Sequence, residues 1–236
     1  MSFFVSLGGP FDGFALRCLS TSILDVSYHL KSQAIMSAIS KDSNRMRKSK
    51  QEAAATRQRI IKESAAAFRK NGIAATGLSD LMAAAGLTHG GFYRHFDSKN
   101  QLIAEACGAA AKSLAEQLAA STSKKSPRDG LKTIVEKYLS AAHRDEPEDG
   151  CPVAALGSEI ARSDERTRAA ATEGFLKLAE IIASQFRKTR PDVARRRALV
   201  SVATMIGALT MSRIATDSEL SASILREAEK QLVNSR

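Results

Sequence analysis

From Gln51 to Asn234 the apolar residues return at steps of three and four, and no run alternates in the manner of a strand. A strand turns successive side chains to opposite faces, whereas a helix gathers positions three and four apart onto one face. Ile61, Ala65 and Phe68 mark such a face, as do Leu131, Ile134, Val135, Tyr138 and Leu139 further on. No repeat or glycine-rich phosphate loop interrupts the pattern. The expected fold class is therefore all-α, with each helix burying one stripe against its neighbours.

The punctuation divides the pattern into elements. Asn71 and Gly72 stop the first helix. Thr76 or Ser79 caps a short helix to about Ala85, Gly86 ends it, and Thr88 caps another from His89 to about Phe96. Two helices of about two turns, joined by a tight glycine-containing turn, form a helix-turn-helix. Ser98 then caps a longer helix with Leu102, Ile103, Ala106, Leu114 and Leu118, which runs out at "STSKKSP". After the helix opened by Pro127, "HRDEPEDG" from His143 to Gly150 reads as a loop. Further helices are expected at Pro152–Ile160, Asp164–Lys188, Pro191–Ile214 and Ser218–Asn234.

Residues 1–49 lack a sustained period and end in the basic run "RMRKSK", Arg45 to Lys50. A flexible basic extension is expected there, with an extra helix across Ile23–Ile39 as the alternative. Met36 and Met46 are candidate later starts. The opening Phe3, Phe4, Val5 and Leu7 lack a basic flank and are broken at Gly8, Gly9 and Pro10, so neither a signal peptide nor an anchor is expected. No run approaches the roughly eighteen apolar residues of a membrane span, and no membrane partner is expected. The domain organisation expected is 1–49 extension, 50–97 helix-turn-helix and 98–236 helical regulatory domain.

Charge narrows the partner. The net charge is +10 and the isoelectric point about 9.7, so the chain attracts polyanions. Abundant Ala, 5% aromatics and no Trp favour closely packed helices. Cys18, Cys107 and Cys151 are far apart, with no CxxC pair or zinc spacing, which points to a reduced, cytoplasmic protein without a structural metal. No cofactor is expected.

The stretch "GLTHGGFYRHFDSKN", Gly86 to Asn100, concentrates the chemistry. His89 and His95 stand six apart, the wrong step for two metal ligands on one helical face, and no Cys or carboxylate completes a set. No nucleophile, base and orienting group can be assembled around His95 or Tyr93, so no catalytic residue is assigned. Phe92 and Phe96, four apart, form a buried face. Thr88, His89, Tyr93, Arg94 and His95, followed by Lys99, leave a face of hydroxyls, imidazoles and cations suited to phosphate oxygens and base edges. Gly90 and Gly91 each cost roughly 1 kcal/mol against Ala in a helix, and they clear the first turn for close approach of its amides to DNA.

Here "LSDLMAAAGLTHGGFYRHFDSKNQL" resembles the helix-turn-helix signature of the tetracycline-repressor (TetR/AcrR) family of bacterial transcription regulators. The resemblance extends upstream through "TRQRIIKESAAAFRKNGIAATGLSDL", covering Thr56 to Leu102. It implies a three-helix DNA-binding domain joined through a long helix to a helical domain that binds a small-molecule effector and forms a homodimer. Carried onto matching positions, Thr76, Thr88, His89, Gly90, Gly91, Tyr93, His95 and Lys99 are the candidate contacts to an operator in double-stranded DNA. Tyr93, His95 and Lys99 fall mainly on phosphates. Gly91 stands where such proteins often carry a small hydroxyl residue, which shifts base readout toward His89 and Tyr93. Arg57 and the Arg45–Lys50 run add backbone or minor-groove charge.

The regulatory half offers two further features. "ALVSVATMIGALTMSRIA", Ala198 to Ala215, is apolar round much of its circumference and must be covered on more than one side. With Ile224, Leu225 and Leu232 it suits a two-fold, four-helix interface. Cys151 precedes Pro152 at a helix start, where the dipole favours a thiolate. Cys151, and second Cys107, are therefore candidate redox or electrophile sensors, against a structural role. The expected function is a homodimeric, ligand-responsive repressor; a thiol-based regulator is the alternative, and a helical enzyme the third.

Overall fold

The structure, a computed structural model, describes residues 36, 48–186 and 189–234. The expected extension lies almost wholly outside these residues. The chain divides into compact units 1–54 and 55–236; in the first, Met36 and residues 48–54 are exposed. Among the described residues the helices are α1 (48–71), α2 (Leu78–Ala84), α3 (Lys99–Thr122), α4 (Pro127–Tyr138), α5 (Ala141–Asp145), α6 (Pro152–Ala161), α7 (Glu165–Ala183), α8 (Pro191–Ile214) and α9 (Ser218–Asn234). None of the described residues is in a strand.

Most starts follow from caps. Ser98, Ser126 and Asp164 each accept the amide three residues on, from Gln101, Asp129 and Thr167, satisfying donors that the first helical turn leaves open. Pro127, Pro152 and Pro191 stand at first positions, where a missing N–H is harmless. The reading at α2 is corrected. Gly77 is its N-cap, with no side-chain cap, and Thr76 instead donates its hydroxyl to Gly72 O at 2.6 Å. "HRDEPEDG" is also not a plain loop. It contains the end of α5, capped by Ser140, and a 3-10 turn at Pro147–Asp149. Two short turns escape periodicity because they are shorter than the repeat that would reveal them.

Two cores form. The first joins Ile60, Phe68, Leu81, Met82, Phe92 and Phe96 to the first half of α3, and takes Leu156 and Ile160 from α6. The second joins α4, α7, α8 and α9 around Ile134, Tyr138, Ile182, Met205 and Leu209. Helices α3 and α7 approach closely because position 174 is glycine: a Cβ there would lie 2.4 Å from the Ala111 Cβ.

α8 corrects the expectation about apolar runs. It is long and apolar enough, by length and composition, to cross a membrane. Its Ala198, Val202, Met205 and Leu209 are nevertheless buried in the second core. Val200, Met211 and Ile214 are 65%, 59% and 72% exposed and share the outward face with Gly207.

Candidate nucleic-acid interface

The site begins at the end of α2. Gly86 adopts φ +69, a left-handed backbone that glycine enters without a side-chain penalty. Its amide donates to Ala83 O at 2.9 Å, and that of Leu87 to Met82 O at 2.8 Å. These paired bonds close the helix and fix the exit direction of the chain.

The next segment, expected as an α-helix to about Phe96, is a 3-10 helix over His89–Arg94. Thr88 is its N-cap by position but accepts no capping bond from its side chain. Phe92 and Phe96 are buried and stacked, their ring centres 5.5 Å apart, and Tyr93 meets Phe92 edge-on at 5.2 Å. These rings anchor one side of the segment. On the other, Thr88, His89, Gly90 and Arg94 are exposed, Tyr93 is 68% exposed, and Gly91 and His95 are half-buried. Arg94 is exposed on this surface too; the candidate contacts carried over from the family resemblance left it out, although its basic side chain next to Tyr93 was a sequence signal for it.

The fold itself does not require Gly90 and Gly91. A Cβ at Gly90 would meet nothing within 4 Å, and one at Gly91 only the Met82 Cε at 3.7 Å, an ordinary contact. Their bareness matters only on the outward side.

Three expected contributors are differently employed. Thr76 is 4% exposed, with its hydroxyl turned onto Gly72 O. Lys99 Nζ donates to Ile73 O and Thr76 O at 3.2 and 2.7 Å. Arg57 pairs with Glu105 at 2.6 Å, donates to His95 O at 3.2 Å and lies 4.6 Å over the Phe96 ring. The Arg57 hydrogen bond, opposed by burial, holds the Glu105 carboxyl below its ordinary range. These groups brace the head from within: the Thr76 side chain is buried, and those of Lys99 and Arg57 are half-buried.

Both candidate sensor thiols are buried. Burial pushes the Cys107 thiol up to about 11, with Arg69 pulling weakly the other way; a thiol held protonated at neutral pH is a poor nucleophile. Cys151 is the N-cap of α6, as its position before Pro152 implied, and its amide donates to His143 Nε2 at 2.9 Å. Among the described residues no group of three or more His, Cys, Asp or Glu side chains is placed to hold a metal.

Further back, the core between α3, α6, α7 and α8 leaves only ≈ 10 Å³, lined by Leu114, Cys151, Val153, Phe175, Leu178 and Ile206 among others. A groove of ≈ 1180 Å³ runs between α3 and α7, floored by Ala115, Ala119 and Ala170 and rimmed by Lys112, Glu116 and Lys177.

Residues 60–106 match the family described as bacterial regulatory proteins, tetR family, and residues 127–231 the C-terminal domain of LmrA/YxaF-like transcriptional regulators. A TetR transcriptional regulator from Chloroflexus aurantiacus, solved as a crystal structure, is 30% identical, with a TM-score of 0.64 over 78% of this chain and 94% of its own. An uncharacterised HTH-type transcriptional regulator of Mycobacterium tuberculosis is 26% identical over 169 residues, 68% of this chain and 86% of its own. The probable acrEF/envCD operon repressor of Escherichia coli is 41% identical over 59 residues, 25% of this chain and 27% of its own.

Proposed function

Because the chain belongs to the TetR family of bacterial transcription regulators, we propose that it acts as a homodimeric repressor whose grip on an operator is loosened by a small molecule. The observation that carries the DNA reading is the two-sided segment at His89–Arg94. Phe92 holds it to the core, while Thr88, His89, Tyr93 and Arg94 stand outward around two glycines that nothing inside the fold requires. Backbone left uncovered by the two glycines, together with exposed side-chain donors, suits phosphate and base edges. His95, half-buried, joins this surface, whereas Thr76 and Lys99 act from behind it. The net charge of +10 draws the protein to DNA from a distance.

The outward apolar stripe of α8, Val200, Met211 and Ile214 with Leu220 of α9, supports a two-fold partner, since a second copy can cover what the chain leaves bare. For the effector, the groove between α3 and α7 is the roomier site. A molecule wedged there acts directly on α3, whose first turn abuts the reading segment, and it releases DNA provided it prefers the non-binding pose. The similarity of 59 residues to a probable operon repressor supports repression over activation.

The test is fluorescence anisotropy of a labelled duplex that the wild-type protein enriches from a random-sequence pool, across a salt series. Binding is expected to be sequence-preferring and steeply salt-dependent, with Tyr93→Ala weakening it and flattening the salt slope by about one if a phosphate contact is lost. Failure of the wild type to show any such binding overturns the reading.

A further inference from the structure

The turn between α1 and α2 is gripped from two sides. Its amides, Ile73 N–H and Ala74 N–H, both donate to Glu159 Oε2, at 3.0 and 2.9 Å. Its carbonyls, Ile73 O and Thr76 O, both accept from Lys99 Nζ. Lys99 begins α3 and belongs to the N-terminal half by sequence. Glu159 does not: it stands near the end of α6, 86 residues along the chain from Ile73.

Within its ten residues α6 reaches into both cores. Leu156 and Ile160 are buried in the first, Ala154 and the N-cap Cys151 in the second, and Val153 packs against both. About two turns of one helix therefore separate the small apolar cleft at Cys151 and Val153 from the carboxylate that holds the turn. A second link runs beside it, since Arg69 of α1 donates to the carbonyls of Pro147 and Glu148, and Lys70 pairs with Glu148 at 2.9 Å.

What the turn does, the reading segment inherits. α2 starts at Leu78, just beyond it, and is locked to the next segment by the Gly86 and Leu87 bonds. A carboxylate accepting two amides is stronger than a neutral acceptor in the same place, because the bonds are charge-assisted.

We propose that Glu159 is the positioning residue through which the C-terminal half sets the pose of the DNA-reading segment, by holding the amides of the α1–α2 turn. This rests on the DNA reading above. It provides a route to the head other than the one through α3.

The experiment compares full-length wild type, Glu159→Ala, Glu159→Gln and Ser158→Ala on the duplex enriched by the wild type, with amide hydrogen exchange read at Ile73 and Ala74. Glu159→Ala is expected to weaken binding about tenfold, the scale of losing a charged hydrogen-bond acceptor, and to speed exchange at both amides. Glu159→Gln, which keeps a carbonyl acceptor at the same reach, recovers most of the affinity, and Ser158→Ala, exposed on the same helix, stays within about twofold of wild type. Affinity for Glu159→Ala within about twofold of wild type, or Glu159→Gln no better than Glu159→Ala, overturns the proposal. Should Glu159→Ala not fold, Glu159→Asp, whose carboxylate stops one methylene short of the two amides, takes its place: faster exchange at Ile73 and Ala74 with weakened binding supports the proposal, and unchanged exchange overturns it. A wild type that enriches no duplex defeats the DNA reading itself, a result distinct from a binding wild type indifferent to Glu159.

Discussion

Acid should reach this fold through His143. Both ring nitrogens are engaged: Nδ1 bonds Tyr138 O at 2.7 Å, and Nε2 accepts the Cys151 amide at 2.9 Å. Only the neutral ring carrying its proton on Nδ1 satisfies both partners; a second proton, on Nε2, would face the Cys151 N–H. Burial, opposed by the Tyr138 carbonyl and reinforced by Arg213 and Arg69, lowers the imidazole from its ordinary 6.5 to about 4. Unfolding frees the ring to protonate near 6.5. Below that pH the unfolded chain binds a proton that the folded chain refuses, so stability falls as pH drops from about 6.5 to about 4 and is indifferent to His143 above that window. At 1.36 kcal/mol per unit, going from pH 7 to pH 5 costs about 2 kcal/mol. Urea unfolding followed by far-ultraviolet circular dichroism, at fixed protein concentration, measures this in wild type and His143→Asn. The wild type should lose about 2 kcal/mol more than the variant between the two pH values. An equal loss in both, or an NMR titration placing His143 near its ordinary value, refutes the reasoning.

Other expectations follow from packing. Gly174→Val puts a side chain where even a Cβ would lie 2.4 Å from the Ala111 Cβ; overpacking of this kind should lower stability by about 1–3 kcal/mol, read as a lower urea midpoint. Cys107, buried and pushed up to about 11, should resist iodoacetamide in the native protein at mildly alkaline pH and label readily in urea, as mass spectrometry of its peptide will show. Met211→Lys, on the outward stripe of α8, should convert a dimer to monomer in sedimentation velocity, and an unchanged dimer rejects that stripe as the interface.

Much of the fold was legible because helix boundaries are local chemistry. Pro191–Ile214 and Ser218–Asn234 have the bounds expected from the proline and the serine that open them. α7, expected to reach Lys188, closes at Ala183, since the apolar residues beyond it continued the period past the helix end. The aromatic pair Phe92 and Phe96 declared itself by spacing. The outward orientation of Tyr93 followed from the same spacing. What could not be read were partners set by distant segments. Lys99 looks like any exposed cation in the sequence, yet its ammonium donates to the carbonyls of Ile73 and Thr76. Glu159 and His143 carry no local signal at all, because their meaning lies in amides contributed by Ile73, Ala74 and Cys151. The 3-10 form of His89–Arg94 was equally hidden, since six residues cannot separate two helical periods.

The sharing of Leu156, Ile160 and Ala171 with the first core has a consequence for how the protein comes apart. A fragment ending after α3 would keep every residue of the helix-turn-helix and still lack three apolar side chains that close its interior. The two halves should then melt as one cooperative unit, and the reading head is not an independently portable module: grafted onto another protein without α6 and the start of α7, it would carry an open seam where those helices had been.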